Sequence, residues 1–249
     1  MEYRLPRVVV VLVRLGLAVG QLPRPHVCAV AGIAPLGASQ AKPNYVEPDR
    51  NMTLVVRAFL ASFQAQHYSD WELHLVNSKG GKEVFRQEIA KLTDTRLLNG
   101  PSSPTRFTMN TWGYEALNWA LEALLHRGGC DYFLFTSADN IYSGYMLETA
   151  LPQMRAHLDL IGFNFVSNHP RPSRRDPSVL KRHLIMPDAA FQPNHVDLGA
   201  VLVSAMAIVE AKARFSYTYG ADWLFFLAVL GRTQGRGHHW NEEVMFVHQ

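Results

Sequence analysis

From about His26 onward, short apolar runs alternate with longer amphipathic ones, the rhythm of strands joined by crossover helices in an α/β sheet. Val27 to Ile33 reads as a buried first strand. Asn51 is placed to cap a helix from Met52 to about Gln66, with Leu54, Val55, Ala58, Phe59, Ser62 and Phe63 on its apolar face. Trp71 to Val76 alternates outside and inside and gives a second strand, Lys82 to Leu92 a helix, and Arg96 to Leu98 a short third strand ended by Asn99, Gly100 and Pro101. Thr111 to about His126 forms the strongest helix, stopped by Gly128 and Gly129. Asp131 to Thr136 is almost wholly apolar, the pattern of a strand in the buried centre of a parallel sheet. Gly144 to Ala156 is a helix and Asp159 to Val166 a strand.

Beyond Val166 the rhythm changes. Asn168 to Asp197 is rich in proline and arginine and shows no period, so it reads as a long irregular segment or lid. Strand Val196 to Val203, helices Ala205 to Ala213 and Asp222 to Leu230 (Leu224, Leu227 and Ala228 inward), and a last strand Val244 to Val247 complete the pattern. Residues 26–249 read as one domain, preceded by residues 1–25 as a leader or extra strand. That leader has signal-like features: Arg4 and Arg7 stand before a mostly apolar run from Val8 to Val19, and Ala18, Val19 and Gly20 put small residues at its end, where a signal peptidase would cut. Arg14 inside the run and four consecutive valines favour β structure or an unstructured leader, and the cytoplasm slightly over the secretory pathway. Asn51 to Thr53 is a glycosylation triplet that matters only in a secreted chain.

Composition narrows the classes. The chain has 249 residues, 48% apolar and 18% charged, enough for a sizeable core and far from a disordered composition. A net charge of +3 with scattered signs excludes a polyanion-coating protein, so no nucleic-acid partner is expected. No apolar stretch is long enough for a membrane span. Cys28 and Cys130 are too few for a disulfide framework or a multi-cysteine metal site. Cys28 begins the first strand and Cys130 precedes the central one, positions that could bring them close at one edge of the sheet; because neighbouring parallel strands suit disulfide geometry poorly, two free thiols are expected.

Ligands of open parallel sheets lie beyond the carboxyl ends of the strands. Ile33 leads into an Ala-Pro-Leu-Gly loop, Val76 into Asn77 to Gly81, and Phe135 into Thr136, Ser137, Ala138, Asp139 and Asn140. A carboxylate that ends an apolar central strand needs a positive partner. A hard divalent cation carrying a diphosphate meets that need at Asp139, while capping of the next turn is the simpler role. In the preceding helix Gly113, Ala116 and Ala120 share a flat face, suited to a ligand or to close sheet packing, and Asn118 offers an amide.

These segments, in order, resemble the inverting glycosyltransferases of the GT-A fold, in particular the large family-2 group of nucleotide-sugar transferases. Phe63 to Leu73 is similar to that family's helix end and second strand; Gly113, Ala116, Asn118 and Ala120 to the helix beside the nucleotide; and Phe135 to Asn140, with Met146 and Leu147, to the segment bearing the metal-binding D-x-D. Asp197 to Ala200 resembles the glycine loop before the acceptor site, Gly220 to Leu227 the helix start bearing the catalytic base, and Val247 and His248 the C-terminal histidine of the metal site. The resemblance implies an α/β GT-A fold with a mainly parallel central sheet flanked by helices. It also implies Mn²⁺ or Mg²⁺ on Asp139 and His248, and a nucleoside diphosphate sugar lined by Asn77, Lys79, Gly113 and Asn118. Asp222 is then the base, and Gly199, Ala200 and Trp223 face a glycan or other hydroxyl acceptor. Three departures stand out: Ser137 replaces the first D of D-x-D, Asn77 to Gly80 replaces the acidic segment that reads base and ribose, and Ala221 leaves Asp222 without its usual acidic neighbour. The expected reaction is sugar transfer to a hydroxyl with inversion; the alternatives are a degenerate GT-A-like binding or scaffold protein, or a nucleotidyltransferase.

Overall fold

The computed structural model describes residues 23–33, 52–77, 91, 93–100, 113–167, 171–172, 180–181, 184–185, 196–218, 220–232 and 237–248. The expected loop at 35–50, all but residue 91 of the expected helix at 82–92, and most of the arginine-bearing segment at 168–197 lie outside them.

The strands are β1 Val27–Ile33, β2 Trp71–Asn77, β3 Leu97–Asn99, β4 Tyr132–Ser137, β5 Ile141–Tyr142 and β6 Leu160–Ser167. Three short ones follow, β7 Arg171–Pro172, β8 Leu180–Lys181 and β9 Leu184–Ile185, then β10 Val201–Ser204 and β11 His238–His248. The helices are α1 Met52–Gln64, α2 Tyr114–Arg127, α3 Met146–Arg155, α4 Ala205–Ala211 and α5 Ala221–Arg232. Among the described residues one sheet runs β3-β2-β1-β4-β10-β6-β11-β5, with β9 on β6, and β7 pairs with β8 apart from it. β3, β2, β1 and β4 are parallel; β10 runs antiparallel between β4 and β6, and β11 returns parallel to β6. The α/β architecture expected from the alternating pattern is the one observed.

The core is densest where it was most legible. Phe133, Leu134 and Phe135 of β4 are fully buried between β1 and β10, as a wholly apolar strand requires. α2 packs over β1 and β2, so Ala116 and Ala120 face the sheet, and the closely approaching partner of that flat face is the protein itself. The inward faces of two helices differ from expectation. On α1 the buried side is Val56, Phe59, Leu60 and Phe63, with Leu54 exposed. On α5 it is Phe225, Phe226 and Val229, with Leu224 and Leu227 exposed. On α5 the larger rings took the core, whereas on α1 Phe59, Ser62 and Phe63 are buried as expected and Val56 and Leu60 join them in place of Leu54. The last strand is longer than the apolar run suggested, because β11 continues back to His238 through a bulged register against β6.

The cysteines also depart from expectation. Cys28 and Cys130 form a disulfide, Cα to Cα 5.6 Å, and no described cysteine is free. The argument from neighbouring parallel strands fails because Cys130, which precedes β4 as expected, is not held to strand geometry. Gly128 and Gly129 both take left-handed φ values, 76° and 87°, and this double turn between α2 and β4 brings Cys130 back over Cys28.

Candidate functional site

β4 ends at the centre of the sheet's carboxyl edge, where its neighbours run parallel on one side and antiparallel on the other. The chain leaves it through Ala138, Asp139 and Asn140 and re-enters the sheet as β5. Asp139 and Ser137 are half-buried at this mouth, and the Ser137 hydroxyl donates a short hydrogen bond to Asp139 Oδ1. Ser137 therefore serves as a donor to the carboxylate, where the family pattern has a second anion.

Behind the pair lies a buried polar network. Asn140 Nδ2 donates to Thr136 Oγ1 at 2.9 Å, and the Tyr142 hydroxyl lies 2.5 Å from the same oxygen and 3.3 Å from the Gly199 carbonyl. Burial, first of all, pushes the Tyr142 phenol well above its ordinary range, so it acts as a neutral donor. The buried Asn140 Oδ1 has no hydrogen-bond partner among the described residues. An oxygen donor left over beside a half-exposed carboxylate fits a hard cation, which takes such ligands together with phosphate oxygens.

The turn Asp197 to Ala200 is held against this network. Asp197 Oδ1 accepts from Gly199 N at 2.9 Å, its carbonyl accepts from Ala200 N at 2.9 Å, and β10 then runs back along β4. A Cβ on Gly199 would fall 2.6 Å from the Tyr142 hydroxyl and 2.9 Å from Asn140 Nδ2, so only glycine lets the two segments close. Gly199 and Ala200 are buried with their amides engaged, and they shape the wall on this side of the mouth.

The register of β11 carries His248 toward the same mouth. Phe246 pairs with Tyr142 and Val247 with Ile141, so the backbone of His248 arrives on the side of Asn140 and Asp139. Asn77 closes β2 opposite Ile33, at the same edge of the sheet; Lys79 lies outside the described residues. Gly113 stands before α2 at φ 79°, a left-handed conformation that favours glycine. Asn118 Nδ2 donates to the Phe215 carbonyl at 2.8 Å and Oδ1 accepts from Phe215 N at 2.9 Å, so its amide clamps the segment after α4. Asp222 is half-buried in the first turn of α5, and Oδ1 lies 2.8 Å from the amide of Trp223, itself packed against the core.

The sequence reading missed Thr136 and Tyr142, although both stand beside the residues it singled out; a tyrosine two positions after Asn140 in a two-residue strand carries no signal of its own. It also missed a cluster at the opposite end of the sheet: His26, Asp70, Glu72, His74 and Arg127. Alternation placed Glu72 and His74 outside, yet His74 is buried, because both faces of this parallel sheet are covered.

No protein-family model matches the chain, and no curated protein does either. Solved structures do. S. aureus TarS 1–349 aligns with a TM-score of 0.61 at 10% identity, over 90% of this chain and 60% of that one. The fold is GT-A-like. Another TarS structure gives 0.62 at 12% identity over 90% and 36% of the two chains, and TarS 1–349 in complex with UDP-GlcNAc gives 0.59 at 12% over 89% and 58%. At such identity the likeness is one of fold, and this chain spans 60% or less of the length of these TarS chains. Among the described residues no helix is long and apolar enough to cross a membrane.

Proposed function

We propose that this chain is a glycosyltransferase that moves a sugar from a nucleoside diphosphate sugar to a hydroxyl group of a glycan or other acceptor, with inversion. The observation that carries the reading is the Asp139–Asn140 turn: a carboxylate and a leftover amide oxygen at the mouth of the central strand, buttressed by Thr136, Tyr142 and Gly199. The likeness in fold to a TarS structure that holds UDP-GlcNAc supports a nucleotide sugar as the donor class.

Asp139, with Asn140 beside it and His248 arriving along β11, would hold Mn²⁺ or Mg²⁺. Such an ion, when bound, neutralises charge building on the leaving diphosphate. Asn77, Lys79 and Gly113 would line the donor side. Asp222 takes the proton of the attacking hydroxyl, and Trp223 gives the acceptor an apolar wall; general-base assistance of this kind contributes roughly 10²–10⁴-fold. The buried Tyr142–Thr136–Asn140 network keeps the Asp139 turn and the acceptor-side turn in fixed relation, as positioned catalysis demands.

Calorimetric titration of UDP and GDP, each with and without Mn²⁺, tests the reading on the intact chain and on Asp139→Ala. Metal-dependent binding that the variant loses supports the transferase. The Ser137 hydroxyl bonded to the lone carboxylate favours a second reading, a degenerate site, which calls for binding that ignores the metal. No nucleotide binding at all would leave a scaffold.

A further inference from the structure

At the amino ends of β1, β2 and β4, about 20 Å along the strands from Asp139, lies a second constellation. Cys28 and Glu72 are register partners on β1 and β2, so their side chains share a face, and His26 stands two residues before Cys28 on that same face. One ligand atom from each of His26, Cys28 and Glu72 falls within 4.8 Å of the others. Cys28 Sγ is 3.1 Å and His26 Nε2 3.8 Å from Glu72 Oε1. Ligands on a tetrahedral zinc, bound at 2.0–2.3 Å, stand about 3.3–3.8 Å apart, so the spacing is close to that of a coordination shell.

Three further features fit a cation. His26 Nδ1 lies 2.6 Å from Asp70 Oδ1, which directs the Nε2 lone pair into the cluster, the carboxylate–histidine arrangement that orients metal ligands. The centre already holds a positive charge, since Arg127 binds Glu72 and stands 3.6 Å from each sulfur. Its side chain is 44% exposed, so it can withdraw into solvent. The constellation also lies at the carboxyl end of α2, where carbonyl dipoles favour cations. A disulfide sulfur is a poor ligand, and two thiolates are strong ones.

We propose that reduction of the Cys28–Cys130 disulfide opens a zinc site at the amino end of the sheet, with Cys28, Cys130, His26 and Glu72 as ligands. A dithiol reductant supplies the two electrons and two protons that break the S–S bond, leaving as its own disulfide. Zn²⁺ then displaces one proton from each cysteine thiol, and Arg127 yields its place on Glu72.

The test is zinc titration of the full chain, stripped of metal, in competition with a chromogenic chelator. Oxidised protein is compared with protein reduced by a phosphine and desalted without air. One equivalent bound at least 100-fold more tightly in the reduced state is expected, and Co²⁺ in its place should show thiolate charge-transfer absorption. His26→Ala and Cys130→Ser should each weaken binding at least tenfold; should either misfold by circular dichroism, the half-exposed Asp70→Asn decides, with an expected loss of about 10-fold or more. Equal zinc affinity in the two redox states, no stoichiometric zinc in the reduced state, or variants that bind as tightly as the parent would each overturn the site.

Discussion

The indole of Trp240 lies on Gly162, its register partner across β6 and β11: a Cβ added at Gly162 would fall 2.1 Å from Trp240 Cε3 and 2.4 Å from Cζ3. The ring is held there by a hydrogen bond from Nε1 to Asn164 Oδ1 at 2.8 Å. Because a fused ring between two strands cannot yield as a flexible chain end can, Gly162→Ala should cost about 3 kcal/mol or more, at the upper end of overpacking penalties. Urea denaturation followed by tryptophan fluorescence measures it; an unchanged midpoint would show that the ring has another place to go.

Asn118 and Phe215 meet across ninety-seven positions of sequence, with one amide satisfying both backbone groups of the phenylalanine. Asn118→Ala leaves a part-buried N–H and C=O without that partner and should destabilise by about 2 kcal/mol. Asn118→Asp keeps the acceptor and loses the donor, so a loss smaller than that of alanine is expected in thermal unfolding. A change in nucleotide affinity with unaltered stability would return Asn118 to the ligand.

Asp222→Asn separates chemistry from structure. Asp222 is the second residue of α5, so the substitution removes a helix-dipole contact worth about 0.3–1 kcal/mol. Loss of a base instead lowers transfer roughly 10²–10⁴-fold and leaves nucleotide binding intact. Full transfer by the variant, on whichever donor and acceptor prove competent, would free Asp222 from the reaction.

Ser137→Asp turns the donor of the Ser137–Asp139 hydrogen bond into a second anion. The metal-free protein should lose stability from like-charge repulsion, and Mn²⁺ should raise the melting temperature of the variant more than that of the parent. Identical Mn²⁺ responses would place Ser137 outside the coordination of any bound ion.

The acid limb of stability should be steeper for the residues around Glu72. Burial pushes its carboxyl up, but hydrogen bonds from Arg127 and His74 outweigh it and hold the group below its ordinary 4.5; burial, against the pull of Glu72, holds His74 below 6.5. Below pH 6.5 the unfolded chain takes up the histidine proton more readily than the folded one, so stability declines as pH falls. The Glu72 contribution is present above 4.5 and is lost as pH drops through its lower folded value. His74→Asn should flatten the profile below pH 6.5; an unchanged slope in denaturation from pH 7 to 5 would assign the dependence elsewhere.

Strand identity was written in the sequence wherever burial on both faces demanded unbroken apolar residues, above all in β4. Helix faces were less legible, because Leu224 and Leu227 match a periodic template as well as Phe225 and Phe226 do, and only the volume waiting inside decides between them. The Asp139 turn could be found because a carboxylate after such a strand is conspicuous. Its support could not, since Thr136, Tyr142 and Gly199 are ordinary residues until β10 lies alongside β4. The disulfide was hidden in the conformation of two glycines, which composition does not reveal.

The reversed direction of β10 gives the mouth of the sheet two unlike lips. On one side the chain departs from parallel strands; on the other it arrives, through Asp197, at the end of the long segment that begins after β6. The two lips are thus fed by different parts of the chain, one by β1, β2 and β4 and the other by the turn Asp197 to Ala200 and β10, so either can be altered without rewriting the strands of the other.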